Sequence, residues 1–200
     1  MADHKSYGQK IFHDLNVRQC SCIPASSFTM PQRLEWTESF TRPSLRGDPK
    51  RVKDSSMLLV ITQECDIAAR KDEFEPVIEI VICKKIKEKD THIGNLFLKS
   101  TRKLQFNAEG TWYEANSEYI LSVEKKSFFE ALVDTQELNI ITLQEDYKLA
   151  IPLWRANKYQ RTALPDFFND HFFPAIENHI NGLVERSRYA AKYQNLIHRQ

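Results

Sequence analysis

Residues 57–62 read Met-Leu-Leu-Val-Ile-Thr, and the next four are Gln63-Glu64-Cys65-Asp66. This apolar run alternates with nothing and is too short for a helix of ordinary length. A strand buried on both faces is the element that fits it. Residues 76–87, PVIEIVICKKIK, form a second, longer strand that fades into an exposed lysine end. Two such strands need a sheet covered on both sides. A chain of 200 residues, 42% of them apolar, is large enough to supply that cover.

The other elements are read around this pair. A short first strand is expected near Val17 to Ile23, after a loose leader over 1–10. Residues 24–54 carry Pro, Ser and Arg with weak periodicity and read as a long exposed loop. KLQFNAEGTWYE is a hairpin candidate with Asn107–Gly110 as its turn. Tyr119, Leu121 and Val123 share one face of a further strand. Ser127 and Glu130 predict a capping box opening a short helix, and 138–143 a last strand. From Leu149 the texture is helical. Pro152 and Pro165 suit first turns, and Pro174 marks a break. The expected fold is α+β: a small, mostly antiparallel β-barrel over 11–146, with C-terminal helices over 147–200 packed on it.

Lys and Arg number 28 and Asp and Glu 27, so no global field draws the chain to a polyanion. No apolar stretch suits a signal peptide or a membrane span, and a cytoplasmic location is expected. Cys20, Cys22, Cys65 and Cys83 are then expected as free thiols rather than disulfides or a zinc site. The sequence has no glycine-rich phosphate loop, dinucleotide fingerprint, His-Glu-x-x-His or Gly-x-Ser-x-Gly. Glu79 and Lys85 share a strand but lie roughly 20 Å apart, too far for one metal. No cofactor or metal is expected.

Chemistry concentrates where the apolar run stops. Gln63, Glu64, Cys65 and Asp66 would be costly inside a core, so they mark the strand's exit. A thiol beside two carboxylates should hold its proton more tightly. Asp66 also suits the N-cap of a turn beginning IAARKDE. A second stretch, residues 154–173, interleaves aromatics with Arg155, Lys158 and Arg161. Such a mixture binds nucleic acid, or packs helices onto the barrel while the cations stay solvated.

The segments Val17-Arg18-Gln19-Cys20-Ser21-Cys22-Ile23, Thr62-Gln63-Glu64-Cys65-Asp66-Ile67 and Ala163-Leu164-Pro165-Asp166-Phe167-Phe168-Asn169 stand in this order. The chain thereby resembles bacterial proteins related to the PemK/MazF-like group. The resemblance implies an SH3-like barrel, often a homodimer. It also implies metal-independent cleavage of single-stranded RNA by an arginine near the barrel's start and a polar or acidic partner. On this chain those positions are Arg18 and the Thr62–Asp66 rim. Two functions follow. One is an RNA-acting toxin or phage-defence protein working as a metal-independent endoribonuclease. Arg18 would stabilise phosphate charge, Asp66 or Glu64 would deprotonate the ribose 2′-OH, and Gln63 would position the backbone, with His13 as an alternative base. The other is a non-catalytic binding or adaptor module of a defence or counter-defence system, gripping an antitoxin or other protein partner. A cleft in which Arg18, Arg42 or Arg46 faces Asp66 would favour the first. A flat apolar patch with Gln63 and Asp66 held fixed would favour the second.

Overall fold

Six strands form one antiparallel sheet: β1 (Ser21–Pro24), β2 (Met57–Val60), β3 (Val77–Lys85), β4 (Lys103–Ala108), β5 (Thr111–Glu124) and β6 (Ile141–Thr142). Their order is β4-β5-β3-β2-β1-β6, and the sheet curls into half a barrel. The structure is a computed structural model that describes residues 5–91 and 102–163, with side chains to Ala156. The chain divides into two compact units, Met1–Lys158 and Tyr159–Gln200, and all six strands lie in the first. Residues 164–169 of the C-terminal resemblance, Pro165 among them, together with Pro174 and the 176–184 pattern, lie outside the described residues. Among the described residues no helix is long and apolar enough to cross a membrane.

The apolar run is a central strand, flanked by β1 and β3 and buried at all four positions. Successive side chains of a strand point to opposite faces. Leu58 and Val60 therefore join Ile78, Ile80, Leu121 and Phe128 in one core. Met57, Leu59 and Ile61 join Val81, Phe106, Ile120 and Trp154 in another. Each fully buried Leu or Ile contributes about 1.5–3 kcal/mol. Helix α4 (Lys125–Val133) covers the first face with Phe128, Ala131 and Leu132. Helix α5 (Glu145–Ala163) covers the second with Ile151 and Trp154.

Several local expectations change. Residues 24–54 are not an exposed loop: they contain helix α2 (Met30–Thr37) and bury Trp36, Phe40, Leu45 and Val52 in the first core. Thr29 and Gln32 cap α2 reciprocally. Among the described residues β4 pairs only with Thr111–Asn116 of β5. Phe40 bridges Leu121 beyond that point, and Thr41 N–H donates to the Ile120 carbonyl at 2.9 Å. The segment thus covers an edge that would otherwise expose unpaired backbone. Helix α4 starts two residues before Ser127, with Glu124 at its N-cap and no side-chain cap, so the expected capping box does not form. Pro152 sits inside α5 rather than in its first turn. It has no N–H to give the Lys148 carbonyl, and the Cys20 thiol approaches that oxygen at 4.0 Å. The 107–110 turn forms as expected. Glu109 and Gly110 both have positive φ, 48° and 79°, as a two-residue hairpin loop with the twist of its strands demands.

Candidate functional site

β2 ends at Val60, and two residues later Thr62 ties it to β3. The Thr62 hydroxyl accepts the Glu79 N–H at 2.6 Å. Past this clamp the chain turns into helix α3, Glu64–Ile67, with Gln63 as its N-cap residue. Asp66 is therefore a helical residue and not the cap the sequence suggested. Gln63, Glu64 and Cys65 are exposed, whereas Asp66 is half-buried. The Cys65 thiol donates to the Asp66 carboxylate at 3.2 Å. That bond, ahead of any burial, raises the thiol's pKa above its ordinary value.

The turn is held from below by a clasp. The Asp66 carbonyl accepts Lys125 Nζ at 2.6 Å, and Lys125 is only 1% exposed. Burial lowers the pKa of this ammonium, while Asp72, Glu75 and Asp66 oppose the shift. Asp72 accepts the Tyr7 and Gly8 N–H groups at 2.7 and 3.0 Å. These open helix α1 (Tyr7–Gln9), which continues as a wider turn over Lys10–Asp14. A carboxylate there satisfies N–H groups that have no partner inside the helix. The Ser6 hydroxyl donates to the Ala69 carbonyl at 2.7 Å. Residues 6–10 are consequently packed, not a loose leader.

Arg18 lies elsewhere in its contacts. Its guanidinium stacks 3.4 Å from the centre of the Phe12 ring, and Nη1 donates to the Phe12 carbonyl. Among the described residues it makes no ion pair with Glu64 or Asp66. Its neighbours do reach the rim: Gln19 Nε2 donates to the Ile61 carbonyl at 3.4 Å, and Cys20 N–H to the Val60 carbonyl at 2.8 Å. Cys20 adopts a left-handed φ of 68°, uncommon for a residue with a side chain. Its thiol is pushed up to about 12, chiefly by burial, with Lys148 opposing and Glu64 adding to the shift. Glu64 is thus close enough to act on the Cys20 thiol. His13 is exposed and edge-on to Phe12 at 5.0 Å. Arg42 pairs with Glu118 at 2.7 Å, and Arg46 Nε donates to the Phe40 carbonyl at 2.9 Å. Arg155, on α5, pairs with Glu79 of β3. Lys158 and Arg161 fall on the same helix, beyond the described side chains.

The structure thus gathers Gln63, Glu64, Cys65, Gln19, Cys20 and Lys148 at one rim, and leaves Arg18 on Phe12. Among the described residues no group of three or more His, Cys, Asp or Glu is arranged to hold a metal. The clasp residues Gly8, Asp72 and Lys125 carried no signal in the sequence beyond their residue types. Compared with known proteins, the chain matches no family model, no curated protein and no solved structure.

Proposed function

We propose that the chain is a non-catalytic binding module, an adaptor of a bacterial defence or counter-defence system. In this reading it works in the cytoplasm, on a barrel of the SH3-like kind, and the Gln63–Cys65 rim receives a protein partner. The observation that carries the reading is how the prospective catalytic groups are spent. Arg18 lays its guanidinium on the Phe12 ring, gives Nη1 to the Phe12 carbonyl, and among the described residues makes no ion pair with Glu64 or Asp66. Asp66 already accepts the Cys65 thiol, and its carbonyl holds a buried ammonium. A rim fastened this way is pre-ordered, which reduces the entropy a partner must offset on binding.

The test is a gel assay of the full chain on single-stranded RNA in EDTA, beside Arg18→Ala and Asp66→Ala. Intact RNA in all three lanes is expected. Cleavage by the parent protein that both substitutions abolish, with circular dichroism unchanged, would overturn the reading in favour of the metal-independent endoribonuclease. Glu64→Gln would then test whether the rim carboxylate is the base.

A further inference from the structure

Away from the rim, a groove of about 400 Å³ opens between the 50–56 segment and the end of β3. Lys50, Arg51, Lys53, Lys84 and Lys85 line it, with Ile82 and Tyr119 beneath them and no carboxylate among the lining residues. The whole chain carries a net charge of only +1, so five cations in one concavity are a local concentration. Nearby acids are engaged: Asp54 pairs with Arg33, Glu118 with Arg42, and Glu114 with Lys103. Asp48 pairs with Arg51 at 2.9 Å, and Arg51 Nη1 also donates to the Tyr119 hydroxyl at 3.2 Å. The four lysines make no ion pair among the described residues. Lysines this close repel one another, and a groove focuses their field.

We propose that this groove binds the phosphate backbone of a single-stranded nucleic acid. The groove cations without an ion pair among the described residues are lysines, which serve phosphates as point charges, and several of them along one groove suit a partner that repeats its negative charge along a chain. The Tyr119 ring in the groove carries the Arg51 guanidinium 5.4 Å from its centre, and such a cation–aromatic pair is a surface on which an unpaired base can stack beside its backbone. The groove lacks the exposed apolar side chains that would enter a membrane, since Ile82 is 4% exposed. An adaptor with nucleic acid in this groove and a protein on the rim would join the two.

The test is fluorescence anisotropy of the full chain with a short labelled single-stranded RNA and its DNA counterpart across a salt series. Saturable binding is expected. With four lysines engaged, log K should fall against log salt with a slope of about −3. Lys84→Glu/Lys85→Glu should weaken binding at least tenfold and flatten the slope by about 1.4. Lys126→Glu, on the exposed side of α4, should change neither beyond the loss of one distant charge. Binding that Lys126→Glu weakens as much as the groove variant would overturn the proposal. So would the absence of saturable binding, or groove-dependent binding to phosphatidylserine vesicles or polyglutamate alone. Cleavage of the same RNA in EDTA would sink the non-catalytic reading and leave the groove standing. Failure to bind would sink the groove and leave the rim.

Discussion

At the scale of single residues, the bond between Cys65 and Asp66 makes the sharpest statement. The thiolate is the form that reacts with alkylating agents. A carboxylate that accepts the thiol hydrogen keeps Cys65 protonated, so Asp66→Asn should lower its pKa. The expected outcome is several-fold faster reaction of Cys65 with iodoacetamide at mildly alkaline pH, read by mass spectrometry. An unchanged or slower rate would mean that the bond does not form in solution. Cys20, Cys22 and Cys83 are buried and should stay unmodified until the chain is denatured. The direction of the Cys65 shift was legible in the sequence because the two groups are chain neighbours. That Asp66 lies inside the helix and does not cap it was not legible, because this depends on where the helix begins. That start is set one turn earlier, by Thr62 closing β2 onto β3.

Among elements, the clasp joining α1, α3 and α4 decides how firmly the rim is held. A Cβ at Gly8 would overlap the Ile67 carbonyl oxygen and come within 3.0 Å of Lys125 Nζ. Backbone cannot step aside as a flexible side chain can. Gly8→Ala should therefore cost about 1–3 kcal/mol, measured by urea unfolding. It should also speed tryptic cleavage at the exposed Arg70 and Lys71, because the 63–75 segment loses its seat. Lys125→Met should act alike, at about 1–3 kcal/mol, since it takes the 2.6 Å ammonium bond from the Asp66 carbonyl and leaves it only the longer bond from Ala69 N–H at 3.4 Å. Normal stability in both variants would remove the clasp from the account of the rim. Nothing in the string Glu124-Lys125-Lys126 distinguishes the buried lysine from the exposed one. The phase of α4 does, and the capping pattern at Ser127 pointed to the wrong phase. The 24–54 segment teaches the reverse lesson. Its buried Trp36, Phe40, Leu45 and Val52 follow no single period, because they fall on a helix, a bridge and two short turns. Thr29-x-x-Gln32 with Pro31 between them is a helix-start signal that the exposed-loop reading missed. The basic groove was half legible too: both of its lysine clusters were visible as exposed charge, but only the fold sets a loop at 50–53 against a strand end at 84–85.

For the molecule as a whole, one sheet divides two cores, and three of the four thiols lie in the second. The apolar run told this much in advance: a strand that is greasy at every position must be covered on both faces. Which helix covers which face follows from contacts far apart in the chain, so periodicity could not assign it. The second core has a consequence for alkaline stability. Burial raises the pKa of Cys20 to about 12 and pushes those of Cys22 and Cys83 upward. Burial also raises that of Tyr113, which packs against the same core. A group whose pKa is higher in the folded state holds a proton that the unfolded chain releases first. Its stabilisation is complete below the ordinary thiol value of 9.0 and is lost as pH climbs through the folded value. Lys125 has the opposite sign, because its folded pKa lies below the ordinary 10.5. Between those two values the unfolded chain holds the extra proton, and stability rises with pH. Three thiols and a phenol stand against one ammonium, so the thiols should win. In reducing buffer the melting temperature should stay level up to about pH 9 and then fall steadily. Cys83→Ala should start lower, because it leaves a cavity, yet decline less steeply. Lys125→Met should decline more steeply, because it removes the only one of these groups that gains with pH. A melting temperature level to pH 11, or a Cys83→Ala slope as steep as the parent's, would mean that the thiols of the second core meet water in the folded chain.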